Sequence, residues 1–334
     1  MPRVRIRFLR EAGGIGDVTR CLGVVGAVKD ALPDAEMWFY VLSGYTSIAK
    51  MCPHVNRVVS VDMKERRGRD AIPNPHLHGY LSRHPGPWDA TVDMFCPAYV
   101  HERETRGNVY LDRIDCWTAE AAKTLGVELK PRVADVNVPL EVFGWADGWL
   151  DAIGAKGRYK APLVGIQPLS VAAKRSFSLG QVRRMCEMLW SSGVKVLYMH
   201  SRYTALKDHE RGIVDWIKRT RTPIFVAPDW AKLFAIVGRC DAMITCDSGL
   251  YHVAAAMRVP VVGAFGNTSG AQMRKHYPTA IAVDAGPRER AGLPCSIEGR
   301  PCYSFLRGCG PNACHALWRM DPTVLASAAL GMLR

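Results

Sequence analysis

The sequence lacks a long hydrophobic run. A helix that crosses a bilayer needs about 20 consecutive apolar residues, and no stretch of the 334 residues approaches that length. The first residues, Met1 to Arg10, alternate arginine with apolar residues and do not form the apolar block of a signal peptide. Because 48% of the residues are hydrophobic and 22% are charged, we expect an ordinary globular protein located in the cytoplasm.

Two motifs that indicate bound cofactors are also missing. The sequence has no Asp-x-Asp triplet that could hold a divalent ion together with phosphate groups. The glycines Gly13, Gly14 and Gly16 do not match Gly-x-Gly-x-x-Gly, the fingerprint of dinucleotide-binding domains. The sequence therefore predicts neither a metal ion nor a cofactor.

Cysteines are plentiful, at 11, but their arrangement is loose. Disulfides rarely persist in the cytoplasm, so these residues are expected to be thiols. Cys295, Cys302, Cys309 and Cys314 lie near the C-terminus with six, six and four residues between them. Structural zinc sites usually have a tighter cysteine pair. Free thiols are therefore favoured, and a structural zinc ion remains the alternative.

Net charge is distributed unevenly along the chain. Residues 1–150 contain 19 basic and 19 acidic residues, whereas residues 151–334 contain 25 basic and 12 acidic ones. The whole excess of 13 positive charges thus lies in the second half. This asymmetry indicates either an anionic ligand in the second half or a solubilising surface there.

Apolar runs alternate with helical patterns through both halves of the chain. In the first half, a strand-like run at Val4–Leu9 precedes a helical pattern over Asp17–Leu32. Short apolar strands then alternate with helices from Leu163 to Phe265, which is typical of parallel βαβ units. Glycines near residues 140–160 suggest a domain break. The pattern predicts an α/β protein with two doubly wound, Rossmann-like domains, residues 1–150 and 151–318, and a C-terminal helix in residues 319–334.

The clearest functional signal is the segment Thr245–Met257, with the sequence TCDSGLYHVAAAM. A strand ends at Cys246, and a helix begins near Ser248 and Gly249. Free N–H groups and the positive end of the helix dipole make such a start suitable for a diphosphate. The alternative is an ordinary capped helix. The predicted ligand-binding residues of this segment are Asp247, Ser248, Gly249, Leu250 and His252.

Two further segments contain candidate site residues. Gly14, Gly16 and Asp17 open the first helix, where the glycines allow close approach of a substrate and the dipole keeps the carboxylate ionised. An acidic residue that stabilises a helix start is the alternative. A basic stretch later in the same half could bind a phosphorylated substrate, although interspersed acids also suit a solvated loop. Its residues are Lys64, Arg66, Arg67 and Arg69.

These segments resemble the motifs of glycosyltransferase family nine, the heptosyltransferases. The resemblance covers the stretch from Asp247 to His252, the Pro-Val strand and Phe265-Gly266 that follow it, and the Gly-Asp motif at Asp17. It also includes the loop of Ser170 and Lys174, although Pro168-Leu169-Ser170 replaces a more usual Pro-Gly loop.

The resemblance implies a GT-B fold of two domains that face a cleft, with the C-terminal helix packed back on the first domain. It implies that Asp17 is the catalytic base, and that Ser170 and Lys174 contact the donor phosphates. The predicted enzyme is an inverting, metal-independent glycosyltransferase whose donor is a nucleotide-sugar, such as ADP-heptose.

The acceptor is the least determined part of this hypothesis. The first choice is a hydroxyl group of lipopolysaccharide or another glycan, which would involve peripheral contact with the membrane. The alternatives are a small metabolite and a hydroxylated DNA base. The neutral first half argues against a stable nucleic-acid partner, since DNA affinity depends on phosphate neutralisation. A nucleotide-sugar epimerase and a non-catalytic nucleotide-binding protein are the alternatives from other classes.

Overall fold

The computed structural model describes residues 4–10, 13–61, 86–94, 112–155, 161–170, 175–200, 208–266, 268–285 and 315–333. The chain divides into two compact units. The first comprises residues 1–104 and 113–135, and the second comprises residues 105–112 and 136–334. Among the described helices, none is both long and apolar enough to cross a membrane.

The first unit is built on a parallel sheet. Its elements in chain order are β1 (Arg5–Arg10), α1 (Ile15–Ala31), β2 (Glu36–Leu42), a short 3₁₀ turn (Ser43–Tyr45), α2 (Thr46–Lys50), β3 (Arg57–Val61), β4 (Ala90–Asp93) and α3 (Arg113–Leu125). Within the described residues, four strands pair in the order β3-β2-β1-β4. The first strand of the unit is therefore an inner strand.

Helix α1 lies in the core of the first unit. Its apolar residues recur at helical spacing, and Val18, Leu22 and Val25 are almost completely buried. The helix packs against α3. Burial of so many aliphatic side chains fixes the start of α1 at the carboxyl end of β1, since each buried side chain of this size contributes about 1.5–3 kcal/mol.

The second unit contains a larger parallel sheet. Its elements are α4 (Leu140–Ala152), β5 (Leu163–Gln167), α5 (Leu179–Ser191), β6 (Lys195–His200), α6 (Asp208–Arg219), β7 (Ile224–Val226), α7 (Trp230–Val237), β8 (Ala242–Cys246), α8 (Gly249–Ala256), β9 (Val261–Phe265), α9 (Gly270–Arg274), β10 (Ala280–Asp284), α10 (His315–Arg319) and α11 (Pro322–Met332). In the described part, six strands pair in the order β10-β9-β8-β5-β6-β7. Together, the two sheets confirm the predicted α/β class with two doubly wound domains.

Helix α4 belongs to the second unit, although the sequence analysis assigned residues 136–150 to the first domain. Two indole rings of α4, from Trp145 and Trp149, contact the Phe225 ring of β7 at centroid distances of 6.4 and 5.1 Å. Asp147 also accepts two hydrogen bonds of 2.7 Å from Arg239. The domain boundary therefore lies near residue 135. Two of the glycines that suggested a later break, Gly144 and Gly148, are residues of the helix itself, and Gly154 follows its end.

The C-terminal helix α11 is also part of the core of the second unit. Leu325, Ala326 and Ala329 are completely buried there. The helix packs against α5 and against strands β8 and β9. The side-chain amide of Gln181 in α5 donates hydrogen bonds to the carbonyl oxygens of Leu317 and Met320, just before α11. The packing of residues 319–334 on the first unit, implied by the resemblance, stays a prediction.

Candidate functional site

Among the described strands, each sheet has one position at which the direction of strand addition reverses. In the first unit, β1 lies between β2 and β4; in the second, β5 lies between β6 and β8. The connections that leave two such neighbouring strands run to opposite sides, and this opens a crevice at the carboxyl ends. Residues that follow β1, β4, β5 and β8 are therefore the candidates for ligand contacts.

In the second unit, the residues after β8 form an open helix start. Ser248 is the N-cap of α8, with extended backbone angles (φ −151°, ψ 171°). Its hydroxyl donates a hydrogen bond to Oε1 of Gln167, at the end of β5. The Ser248 side chain makes no capping hydrogen bond to the first turn of α8. Its N–H groups and positive dipole end are thus directed to the crevice between β5 and β8.

Gln167 connects the two strands beside this crevice. While Oε1 accepts from Ser248, the amide nitrogen Nε2 donates to the carbonyl oxygen of Leu169. Ser170 follows, is 4% exposed, and donates its backbone N–H to the Ser176 hydroxyl at 3.0 Å. The loop after β5 is therefore held against α8. The predicted phosphate contact of Ser170 stays a prediction, and Lys174 lies outside the described residues.

Asp247 is buried at the same edge and binds two neighbouring residues. Its Oδ2 accepts a hydrogen bond of 2.8 Å from the Thr268 hydroxyl, and its Oδ1 lies 3.5 Å from Nη1 of Arg175. Asp247 thus places a hydroxyl and a guanidinium at the carboxyl edge of the sheet. Thr268 was missed by the sequence analysis, although a polar turn after β9 was the available signal.

His252 occupies the first turns of α8 and is nearly buried, at 7% exposure. Its Nδ1 lies 2.8 Å from the Tyr277 hydroxyl oxygen, and its ring packs edge-on against Tyr251. Leu250, on the same helix, is partly exposed. The predicted donor contacts of His252 and Leu250 stay predictions.

In the first unit, Asp17 is surrounded by arginines. Its Oδ1 accepts a hydrogen bond of 2.7 Å from Nη1 of Arg113, on α3. Its Oδ2 lies 3.4 Å from Nη2 of Arg10, at the end of β1, and Arg20 approaches Oδ1 to 4.0 Å. The carboxylate also accepts the Gly14 N–H at 3.4 Å, so it lies at the N-terminus of α1.

The arginines determine the ionisation of Asp17. Burial alone raises the pKa of the carboxyl group, but the charges of Arg113, Arg10 and Arg20 outweigh burial and hold the pKa well below its usual range. Asp17 is therefore ionised across the physiological pH range.

Trp117 of α3 supports two of these arginines. The guanidinium carbon of Arg10 lies 4.8 Å from the centre of its ring, and that of Arg20 lies 5.8 Å away. Cations favour the face of an indole ring at such distances. The indole is completely buried. The sequence analysis missed this cluster, because its arginines lie on separate elements that no local pattern connects.

Gly13 allows this cluster to form. Its φ of +98° lies in the region that favours glycine. A Cβ atom at this position would lie 2.5 Å from both Arg10 Nη2 and Asp17 Oδ2. The predicted site residues Gly14 and Gly16 lie in the same turn, at the N-cap and inside the helix.

Several predicted residues lie outside the described part of the chain. They are the acceptor candidates Lys64, Arg66, Arg67 and Arg69, and the cysteines Cys295, Cys302, Cys309 and Cys314. Their roles stay predictions.

The sequence of the second unit matches the model of a known protein family. Residues 135–291 match the model of glycosyltransferase family 9, described as heptosyltransferase. This segment is similar to glycosyltransferase family 9. The family 9 segment starts one residue before residue 136, where the main part of the second unit begins, and it contains Ser170 and the stretch Asp247–His252. The predicted resemblance and the predicted enzyme class, a glycosyltransferase, are confirmed. Asp17 lies outside the family 9 segment.

Solved structures show a similar fold. A glycosyltransferase family 9 protein from Veillonella parvula DSM 2008 has a TM-score of 0.67 at 16% identity, over 84% of this chain and 86% of that one. The E. coli ADP-heptose lps heptosyltransferase II has a TM-score of 0.65 at 16% identity, over 99% of this chain and 98% of that one. The E. coli heptosyltransferase WaaC with ADP-2-deoxy-2-fluoro heptose gives 0.57 at 15% identity, over 84% and 93%. At these identities the likeness shows the fold. Among curated proteins, none matches the sequence significantly.

Proposed function

We propose that the protein transfers a sugar from a nucleoside-diphosphate donor to an acceptor hydroxyl, with inversion and without a metal ion. The observation that carries this proposal is the start of α8. Ser248, its N-cap, donates its hydroxyl hydrogen to Gln167 and does not cap the helix. The Tyr251 N–H donates to the Ser248 carbonyl oxygen, which leaves the N–H groups of Gly249 and Leu250 for an anion. These amides lie at the point where the strand order reverses, in the segment that matches glycosyltransferase family 9.

The second unit would bind the donor. The dipole and amides of α8 face the diphosphate, and Arg175, held by Asp247, adds a positive charge at the same edge. As the bond between the anomeric carbon and the phosphate oxygen breaks, the electron pair leaves with the nucleoside diphosphate, and these groups stabilise the developing charge. We assign Lys174, Ser170, Leu250 and His252 to the same binding site from the family resemblance.

ADP-heptose is our first choice of donor. Two similar solved structures are of E. coli heptosyltransferase WaaC, one with ADP-2-deoxy-2-fluoro heptose and one with ADP. A third is of an ADP-heptose lps heptosyltransferase. The presence of these ligands in proteins of the same fold supports an adenine nucleotide here.

The first unit would bind the acceptor, with Asp17 as the base. The acceptor oxygen forms its bond to the anomeric carbon, and its proton passes to the carboxylate of Asp17. Attack from the side opposite the leaving group inverts the anomeric configuration. Gly14 and Gly16 leave room for the acceptor beside α1.

The acceptor we propose is an anionic glycan hydroxyl of the lipopolysaccharide type, reached from the cytoplasm at the membrane surface. The arginines around Asp17 support an anionic acceptor. The basic residues Lys64, Arg66, Arg67 and Arg69 would contribute further charge.

A thermal-shift series with ADP-heptose, GDP-mannose and UDP-glucose tests the donor assignment. A ligand that binds only the folded state stabilises it in proportion to the logarithm of its concentration over its Kd. We expect ADP-heptose to raise Tm, in the presence of EDTA as well as in its absence. If none of the nucleotide-sugars changes Tm, the proposed function is wrong.

Substitutions at Gly249 test whether the α8 amides bind the diphosphate. Gly249→Pro removes one N–H at the first position of the helix, where proline is well tolerated. The extended conformation of Ser248 suits a residue before proline. Gly249→Ala also adds a Cβ atom but keeps the N–H. We expect Gly249→Pro to weaken ADP-heptose about tenfold or more relative to Gly249→Ala, since charge-assisted bonds contribute about 1.5–3 kcal/mol. Equal affinities would contradict the assignment.

A further inference from the structure

The ion cluster around Asp17 is poorly suited to base catalysis as it stands. A general base needs an available lone pair and a pKa near the working pH. One lone pair of Asp17 Oδ1 accepts the Arg113 N–H at 2.7 Å, and the surrounding cations hold the pKa of the carboxyl group well below its usual range. Asp17 is therefore a weak base while Arg113 is bound to it, and loss of the Arg113 contact would make it a stronger one.

The three arginines differ in their freedom to move. Arg10 is 4% exposed, donates to the Met94 carbonyl at 2.8 Å and lies over Trp117. Arg20 is 3% exposed and lies over the same ring. The side chain of Arg113 is 29% exposed and begins helix α3, and the Asp17 side chain that it contacts is 18% exposed. Among these three arginines, Arg113 is the most exposed, so its contact with Asp17 can open with the least disturbance of the buried pair.

The charges that face Asp17 also favour an additional anion. They come from each element packed around it: Arg10 on β1, Arg20 on α1 and Arg113 on α3. Cys21, on the buried side of α1, has a pKa raised to about 12 by burial and stays a neutral thiol. Within the described residues, the Asp17 carboxylate thus lies within 4.0 Å of three guanidinium groups. A phosphate or carboxylate group that approached from solvent would meet Arg113 first, because this is the most exposed of the three arginines.

We propose that Arg113 holds Asp17 inactive in the absence of acceptor, and that an anionic group on the acceptor frees Asp17 by binding Arg113. The proposal rests on the proposed function, in which Asp17 is the base. Arg113 is then a positioning residue that makes base catalysis depend on a bound acceptor. In the free enzyme, water that enters the site meets a weak base, which protects the donor from hydrolysis.

Sulfate serves as the test anion, because it keeps two negative charges across the pH range of carboxyl titration. The carboxyl carbon of Asp17 is followed by NMR and identified as the signal lost in Asp17→Asn. We expect sulfate to raise the titration midpoint of wild type by about one pH unit or more, relative to chloride at the same ionic strength. In Arg113→Gln the midpoint is expected to be raised already, and sulfate should leave it unchanged. Arg113→Lys should keep the sulfate response.

A second measurement at neutral pH avoids acid unfolding. Sulfate should raise Tm above the chloride control in wild type and in Arg113→Lys, and this difference should be lost in Arg113→Gln. The matched control is Arg57→Gln. It removes the same charge from an exposed arginine on β3, whose guanidinium lies over the Trp38 ring of β2. This variant should respond as wild type does. An equal sulfate response in all four proteins, or an Asp17 titration that Arg113→Gln leaves unchanged, overturns the proposal.

These measurements need no turnover, so they remain informative if no nucleotide-sugar binds. An enzyme assay adds the functional consequence. Arg113→Gln is expected to raise hydrolysis of ADP-heptose in the absence of acceptor, relative to wild type and to Arg57→Gln. If the donor binds and its sugar is transferred, but Arg113→Gln hydrolyses the donor no faster than wild type, the inactive-base proposal fails while the proposed function stands.

Discussion

At the scale of single residues, the carboxylate of Asp17 balances charges that are otherwise buried. Arg10 and Arg20 are almost fully buried on either side of it, and both contact Trp117. Burial of guanidinium groups is costly unless an anion is close. The sequence analysis identified Asp17 from a Gly-Asp pattern at a helix start. It could not identify its three arginines, because they come from separate elements that only the folded chain brings together.

This arrangement predicts a pH-dependent loss of stability in Asp17→Asn. The folded pKa of Asp17 is depressed below its unfolded value of about 3.9, so the ionised carboxylate stabilises the fold above that pH. Its contribution decreases as the pH falls below about 4, towards the folded pKa. Urea unfolding should show that Asp17→Asn is less stable than wild type by about 2 kcal/mol or more at pH 7. The stability difference between the two proteins should become smaller in acid. A difference that is constant from pH 7 to pH 3 would contradict this role of the Asp17 carboxylate.

At the scale of elements, strands were easier to predict than helix partners. Short apolar runs identified β5 and β8, because a strand buried on both faces of a parallel sheet needs apolar residues throughout. The Asp321-Pro322 pair is likewise a local signal for the start of α11, since Asp321 caps the helix and proline occupies its first position. The partners of α4 and α11 are set by contacts distant in sequence, such as that of Trp149 with Phe225. No local pattern contains that information.

The packing of α11 predicts a strong effect from one of its side chains. Leu325 is completely buried in the core of the second unit, whereas its neighbour Val324 is 48% exposed. Leu325→Ala should lower the free energy of unfolding by about 2–5 kcal/mol. Val324→Ala, the matched control, should change it by about 0.5 kcal/mol or less. Urea unfolding of both full-length variants gives the comparison, and similar values for the two would contradict this packing.

At the scale of the whole molecule, the boundary near residue 135 predicts how the chain can be divided. Residues 136–334 should fold alone and unfold cooperatively, because they contain a complete sheet with its helices. Residues 151–334 lack α4 and thus leave Phe225 and Arg239 without the contacts of Trp149 and Asp147. Calorimetry should give this shorter piece a Tm lower by about 5 °C or more. Equal Tm values would favour the boundary at residue 150 that glycine spacing suggested.

The boundary near residue 135 also has an evolutionary consequence. The family 9 segment begins at residue 135, at the same place as the change from one sheet to the other. The boundary of the family match therefore coincides with the boundary between the two folding units. A recombination event at this border would exchange the sheet that contains Asp17 and preserve every contact among Gln167, Ser248 and Asp247. If the second unit binds the donor as we propose, lineages that share it can diverge in the acceptor that they glycosylate.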